Sequence, residues 1–138
     1  MIQRIQTLYL LVVVFLQTVM LFSAQATVID GAVEQSVSLS KNLQWQLLIG
    51  LTALLPLITI FLFKKRRKQI RLSIINSLLL LTLQIVVVFT LINISNENVT
   101  INYSASDISP AISLILTILA IRFILKDEMK IRAYNRIR

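Results

Sequence analysis

Side chains that could perform chemistry are scarce in this sequence and absent from its most apolar stretches. The 138 residues include no cysteine and no histidine, which removes thiol nucleophiles, thiolate metal sites and imidazole acid–base catalysis. No Asp or Glu lies within a long apolar stretch, so a proton relay has no central group. No Ser or Thr there has a base to activate it as a nucleophile. We therefore predict no catalytic residue, no metal, no cofactor and no enzyme activity.

Arg122 lies inside the last apolar stretch, about one helical turn from its end. A charged group within lipid is costly and often functional, but a long basic side chain near a helix end can extend to the interface instead. We favour the interface, because the nearest acids, Asp127 and Glu128, are expected to lie outside the apolar core.

Uncharged polar residues are the next candidates. Ser109, Ser113 and Thr117 repeat every four residues, which places small side chains on one helix face where a neighbouring helix can approach closely. The alternative is a hydrophilic path lined by the amide side chains of Gln17, Asn76 and Gln84. We favour packing, with hydrogen bonds of about 1 kcal/mol or less per contact, because no group here could bind an ion strongly. The candidate packing residues are Gln17, Asn76, Gln84, Ser109, Ser113 and Thr117.

A run of basic residues separates the second and third apolar stretches. Such a run can bind nucleic acid, but between two membrane spans it more often sets orientation and contacts anionic headgroups. We therefore expect the lipid bilayer, and no nucleic acid, as its partner. The candidate lipid-contact residues are Lys64, Lys65, Arg66, Arg67, Lys68 and Arg71.

Four long apolar stretches must position these residues. Hydrophobic residues make up 57% of the chain and charged residues 14%, an excess that a water-soluble domain of this size could not bury. Each stretch is close to the ~20 residues that a helix needs to cross ~30 Å of hydrocarbon. The sequence predicts one all-α membrane domain over residues 1–138, an antiparallel bundle of four transmembrane helices. Its spans are about 5–24, 46–63, 70–94 and 108–125, and residues 126–138 form a cytoplasmic tail.

The basic residues also predict an orientation. Of the 14 Lys and Arg residues, one precedes the first span, five lie between spans two and three with Arg71 just inside span three, and six lie from Arg122 onward. Lys41 alone falls on the opposite side of the membrane. Since short loops rich in Lys and Arg stay in the cytoplasm, both termini and the basic run are expected there.

The two outward-facing loops, residues 25–45 and 95–107, alternate in polarity. Val33 and Val37 alternate with polar residues in the first loop, as Ile101 and Tyr103 do in the second. Period two is typical of a half-buried strand, so these two segments could pair as a small extracytoplasmic β cap. The alternative, a pair of irregular loops, stays open.

The first apolar stretch also resembles a secretory signal. A basic start at Arg4 precedes an apolar region and then Ala24-Gln25-Ala26, the layout of a signal with cleavage after Ala26. The apolar core from Leu8 to Phe22 is at the upper length limit for a signal, so we expect a retained span.

The beginning and end of the chain resemble a known family. The start reads Met-Ile-Gln-Arg-Ile-Gln-Thr-Leu-Tyr-Leu, and the fourth span is followed by Lys126-Asp127-Glu128 and a basic segment ending in Arg138. Both are similar to an uncharacterised family of four-span bacterial inner-membrane proteins, a domain of unknown function. The resemblance implies a bacterial inner-membrane location and a retained first span, and it carries over no site residues.

The missing chemistry and the packing stripe favour a non-enzymatic accessory or assembly subunit of a cell-envelope complex. Such a subunit would bind other membrane proteins or further copies of itself. The alternative is a small oligomeric transporter or channel, with a water-accessible path past Gln17, Asn76 and Gln84.

Overall fold

The computed structural model of the chain describes residues 3–23, 26–30, 33–37, 42–62, 65–95 and 100–136, and side chains in the narrower ranges 5–23, 42–62, 65–93 and 104–130. Four long helices dominate it, and all four are long and apolar enough to cross a membrane. Their bounds are α1 Gln3–Phe22, α2 Leu43–Phe61, α3 Arg66–Ser95 and α4 Ser109–Arg136.

The helices pack as an antiparallel ring. Each helix contacts its neighbours along the chain, and α1 closes the ring against α4. Inward-facing residues recur every three or four positions, the spacing of one helical face. The fully buried apolar side chains are Leu10, Val13, Met20, Ile49, Leu80, Leu83, Val87, Ala120 and Ile124.

The outer surface of the bundle is apolar. Phe15, Phe22 and Phe89 are each more than 60% exposed, among many other large apolar side chains. A soluble monomer rarely exposes a continuous apolar surface of this extent, whereas lipid is its natural solvent. The chain is therefore a multi-pass integral membrane protein with four helical spans.

Two helices are longer than hydropathy predicts. Helix α3 has 30 residues and begins at Arg66, so most of the predicted basic loop is its first turn. Backbone N–H groups of Lys68 and Gln69 donate to the carbonyl of Lys65 at 2.9 and 3.1 Å. Helix α4 runs to Arg136, and the tail is a continuation of the fourth span. Helical hydrogen bonding continues where the apolar composition ends, and hydropathy marks only the composition.

The segments that connect α1 to α2 and α3 to α4 form a three-stranded antiparallel sheet at one end of the bundle. Its strands are β1 Ala26–Asp30, β2 Val33–Val37 and β3 Thr100–Tyr103, in the order β2-β1-β3. Strands β2 and β3 coincide with the two alternating segments of the sequence, but the expectation that they pair with each other is wrong. Strand β1 separates them, pairing Val28 with Gln35 on one side and with Ile101 on the other.

We call the end of the bundle that carries this sheet the sheet end. The opposite end, where α1 and α3 begin and α2 ends, is the basic end. At the sheet end a single 3-10 turn, Ala105–Ile108, leads into α4. Its start is capped reciprocally: the backbone N–H of Ser104 donates to Asp107 Oδ2 at 3.1 Å, and the Ser104 hydroxyl accepts from the backbone of Ser106. These bonds satisfy N–H groups that a helix start leaves free.

Candidate functional site

A hydrogen-bonded junction in the bundle interior joins three helices. Gln17 of α1 is fully buried, and its Nε2 donates to Ser113 Oγ of α4 at 2.9 Å. Its Oε1 accepts from Thr52 Oγ1 of α2 at 3.3 Å. Because Ser113 and Thr52 are also fully buried, the amide is satisfied inside the protein, as a buried polar group must be. We call Gln17, Thr52 and Ser113 the polar junction.

The small-residue stripe of α4 faces the interior along its length. Ser109, Ser113 and Thr117 are all buried, at the positions that the four-residue spacing predicts. Thr117 Oγ1 donates to the carbonyl of Ser113 at 2.7 Å, so its hydroxyl is used within its own helix. Ser109 Oγ has no hydrogen-bond partner in the part of the chain that is described.

The two predicted amides of α3 do not join the polar junction. Asn76 is only 1% exposed, yet neither its amide nitrogen nor its oxygen has a partner among the described residues. The same holds for Ser73 Oγ, one turn earlier, and for the carbonyl oxygen of Gln84. The described residues of α3 thus carry buried polar atoms but donate no side-chain hydrogen bond to another helix.

A second interhelical bond lies at the basic end, where sequence reasoning expected none. Asp127 of α4 is buried, and its Oδ2 accepts from Gln6 Nε2 of α1 at 2.6 Å. Asp127 reaches Gln6 because α4 continues past Leu125 and keeps its inner face against α1. Its position relative to the apolar core of the membrane stays a prediction. Arg122 is exposed on the outer face of α4, as the interface interpretation expects.

An aromatic contact reinforces the same pair of helices. The rings of Tyr9 and Phe123 stack with centroids 5.7 Å apart, one turn toward the bundle centre from the Gln6–Asp127 bond. Helices α1 and α4 are thus joined by side-chain contacts at the basic end and again at the polar junction.

The basic residues at the start of α3 line an open pocket of about 460 Å³. The lining residues are Lys65, Arg66, Arg67, Lys68 and Glu128. Arg67 Nε lies 3.9 Å from Glu128 Oε1, and the Arg67 side chain is 82% exposed. Of the other two candidate lipid-contact residues, Arg71 is exposed and does not line the pocket, and Lys64 falls outside the described residues.

Acidic side chains are few in the described ranges. No group of three or more Asp, Glu, His or Cys side chains there is arranged to hold a metal ion. The two hydrogen-bonded sites described above each contain at most one carboxylate, and their other members are amides and hydroxyls.

The family comparison covers nearly the whole chain. Residues 2–137 match the family described as "Domain of unknown function (DUF4293)". The chain belongs to this family. The match includes both ends on which the resemblance rested, and the four apolar helices agree with it. No curated protein and no solved structure matches this DUF4293 chain.

Two features of the DUF4293 chain escaped sequence reasoning. Thr52 is one of the three members of the polar junction. The sequence indicates its inward position only through its spacing, four residues before Pro56 on the same face of α2. Gln6 lies eleven residues before Gln17, the spacing of three helical turns. Extending the polar stripe of α1 in this way would have pointed to the basic end.

Proposed function

We propose that this membrane protein is a non-enzymatic accessory or assembly subunit of a cell-envelope complex in the bacterial inner membrane. The observation that carries the proposal is the polar junction. Thr52 and Ser113 are each bonded to Gln17, and all three side chains are fully buried, which supports a packing role for this part of the interior. Contacts with partners then fall to the outer surface, the sheet and the part of α4 beyond the lipid.

The length of α4 supports this role. At 1.5 Å per residue its 28 residues extend about 42 Å, beyond the ~30 Å of a hydrocarbon core. Lys126, Met129 and Lys130 near its end are exposed. A partner could therefore bind a rigid helix here, with little conformational entropy lost on binding.

The test is the composition of the purified complex. The chain is extracted in mild detergent with a photo-crosslinking residue at Met129, and matched material carries it at the buried Ile124. We expect one partner, recovered at constant stoichiometry through two chromatographic steps and crosslinked from position 129 only. Elution as a lone monomer with no crosslink from either position would contradict the proposal.

We further propose that the basic end faces the cytoplasm, supported by the distribution of Lys and Arg. A phosphatase reporter that is active only in the periplasm should be inactive when fused after Arg138. The same reporter inserted after Ser40, in the loop of the sheet end, should be active. The opposite result at both sites would reverse the orientation.

Retention of the first span is part of the same proposal. Helix α1 supplies Gln17 to the polar junction and Gln6 to Asp127, and cleavage after Ala26 would remove both. Peptide mapping of the purified protein should therefore recover residues that precede Ala26. A mature chain starting near Thr27 would contradict this.

The transporter alternative is tested by water access, since the cysteine-free sequence permits single-cysteine labelling. Gln17→Cys and Asn76→Cys should resist a membrane-impermeant maleimide, because both side chains are buried in the bundle. Lys126→Cys, exposed at the basic end, is the positive control in inside-out vesicles. Fast labelling at positions 17 and 76 would establish a hydrated path and displace the subunit proposal.

A further inference from the structure

The pocket at the basic end concentrates positive charge. Four of its five lining residues are basic and one is acidic, so their formal charges sum to +3. Arg67 and Glu128 form a long ion pair across the pocket, 3.9 Å between Nε and Oε1. With Arg67 largely exposed, that pair offsets little of the charge.

Arg66 is the residue of this pocket that most requires an acceptor. Its side chain is half-buried, and its Nη1 is out of contact with solvent and has no hydrogen-bond partner among the described residues. A guanidinium has five N–H donors and no acceptor of its own, and a buried charged donor left unpaired is unfavourable by more than a neutral one. Nη1 is closed to solvent in this geometry, so the guanidinium would have to turn toward the open pocket for a bound anion to supply the missing acceptor.

The start of α3 adds to the same field. Four basic residues from Lys65 to Lys68 surround a helix N-terminus whose first turn contains no acidic residue. Cations at this end of a helix are repelled by its dipole, whereas an anion is stabilised. The positive charges on this turn therefore interact unfavourably with the helix dipole, and a bound anion would reduce that repulsion.

We propose that this pocket binds a phosphate group, with the Arg66 guanidinium as the anchoring donor and Lys65 and Lys68 as supporting charges. Guanidinium and phosphate match in geometry and form paired charge-assisted hydrogen bonds. The volume of about 460 Å³ accommodates a phosphate together with the glycerol portion of a headgroup. The phosphate could belong to an anionic phospholipid or to a soluble phosphate ester, and either would occupy the same donors.

The test uses the purified full-length chain in a neutral maltoside detergent, without any partner, so its result is independent of the subunit proposal. Native mass spectrometry measures retention of phosphatidylglycerol against phosphatidylcholine and diacylglycerol. A parallel arm adds glycerol phosphate or inorganic phosphate and follows its binding and its competition with the lipid. Competition identifies a soluble phosphate ligand, and lipid retention without competition identifies the headgroup.

The matched variants are Arg66→Gln and Arg71→Gln, which remove one positive charge from the same helix. Arg66→Gln should weaken binding about tenfold, the loss of one charge-assisted contact. Arg71 is exposed and lies outside the pocket. Arg71→Gln should therefore leave the affinity within about twofold of wild type. The affinity of Arg66→Lys should lie between those of the two Gln variants, because lysine keeps the charge but lacks the planar guanidinium group that pairs with phosphate.

Two results would overturn the proposal. One is that neither phosphatidylglycerol nor a phosphate ester is retained above the phosphate-free and zwitterionic controls. The other is an equal loss for Arg66→Gln and Arg71→Gln, which would show a diffuse basic surface without a site. Helix content measured by circular dichroism confirms that each variant is folded, and Lys68→Gln replaces Arg66→Gln if that variant is not.

Discussion

Replacing Gln17 with Met should destabilise the bundle while almost preserving the shape of the side chain. Methionine is unbranched and fills a similar volume, so the change removes hydrogen bonds without opening a large cavity. The wild-type amide donates to Ser113 Oγ at 2.9 Å and accepts from Thr52 Oγ1 at 3.3 Å. Both bonds connect different helices, so the variant tests the polar junction directly.

The expected loss follows from those two bonds. Side-chain hydrogen bonds between membrane helices average about 0.6 kcal/mol, so two give about 1.2 kcal/mol. The Thr52 hydroxyl has one proton and lies nearer to the carbonyl of Ile49, at 2.7 Å, so its bond to Gln17 contributes less than this average and about 1.2 kcal/mol is an upper value. Ser113 loses an amide donor, but its hydroxyl can still donate elsewhere. We therefore expect a decrease in the free energy of unfolding of about 1 kcal/mol.

The assay is reversible unfolding of purified protein in mixed micelles with increasing mole fraction of sodium dodecyl sulfate, followed by circular dichroism. Gln84→Met is the matched control, because it makes the same replacement at an amide of α3 whose buried carbonyl oxygen has no partner among the described residues. That control should be neutral or stabilising, since it removes an unsatisfied polar atom. A double-mutant cycle with Ser113→Ala should give a coupling of about 0.6 kcal/mol.

Equal stability of Gln17→Met and wild type would refute the argument that the polar junction holds the three helices together. An equal loss for Gln17→Met and Gln84→Met would refute it differently. Gln17 and Gln84 would then contribute to stability through side-chain volume or lipid contact, and the hydrogen bonds of Gln17 would make no difference.

Three other substitutions have defined outcomes in the same titration. Gln6→Leu should lower the free energy of unfolding by about 1.5 kcal/mol, because it leaves the buried carboxylate of Asp127 without its amide donor; adding Asp127→Leu should recover most of the loss, and no recovery would contradict this account. Arg67→Gln should change stability by less than about 0.5 kcal/mol, since its ion pair to α4 is long and exposed, and a larger, salt-insensitive loss would be inconsistent with that geometry. Ser113→Ala should lose about 0.6 kcal/mol, whereas Ser109→Ala, which removes a buried hydroxyl without a described partner, should lose nothing; the reverse order would exclude our assignment.

The spans could be predicted from sequence because lipid imposes a simple rule on them. About 20 apolar residues cross the hydrocarbon as a helix, whatever their β propensity. The rule says nothing about where a helix ends once it leaves the lipid. Arg66 begins α3 and Arg136 ends α4, and both positions depend on backbone hydrogen bonds that hydropathy does not measure.

For the interior contacts, the sequence could predict which face of a helix points inward but not which side chains pair. The spacing of Ser109, Ser113 and Thr117 correctly placed one side of α4 inward, and Gln17 was a natural partner for it. Which hydroxyl receives the amide depends on the rotation and depth of two helices, and residue spacing within one helix does not fix those. Strand β1 was missed because the adjacent Val28 and Ile29 interrupt any alternation of polarity in Ala26–Asp30.

The side-chain hydrogen bonds of the interior are unevenly distributed among the four helices. Gln17 ties α1 to α2 and α4, and Gln6 ties α1 to α4 again. In the described ranges α3 has no such bond to a neighbour, and its one ion pair is largely exposed. Among the described residues, a turn of α3 about its own axis or a slide along its neighbours would therefore break only that exposed ion pair as a directional contact. It is also the helix that carries the basic pocket at its start, so an anion bound there would act on a helix that has no described side-chain hydrogen bond to its neighbours.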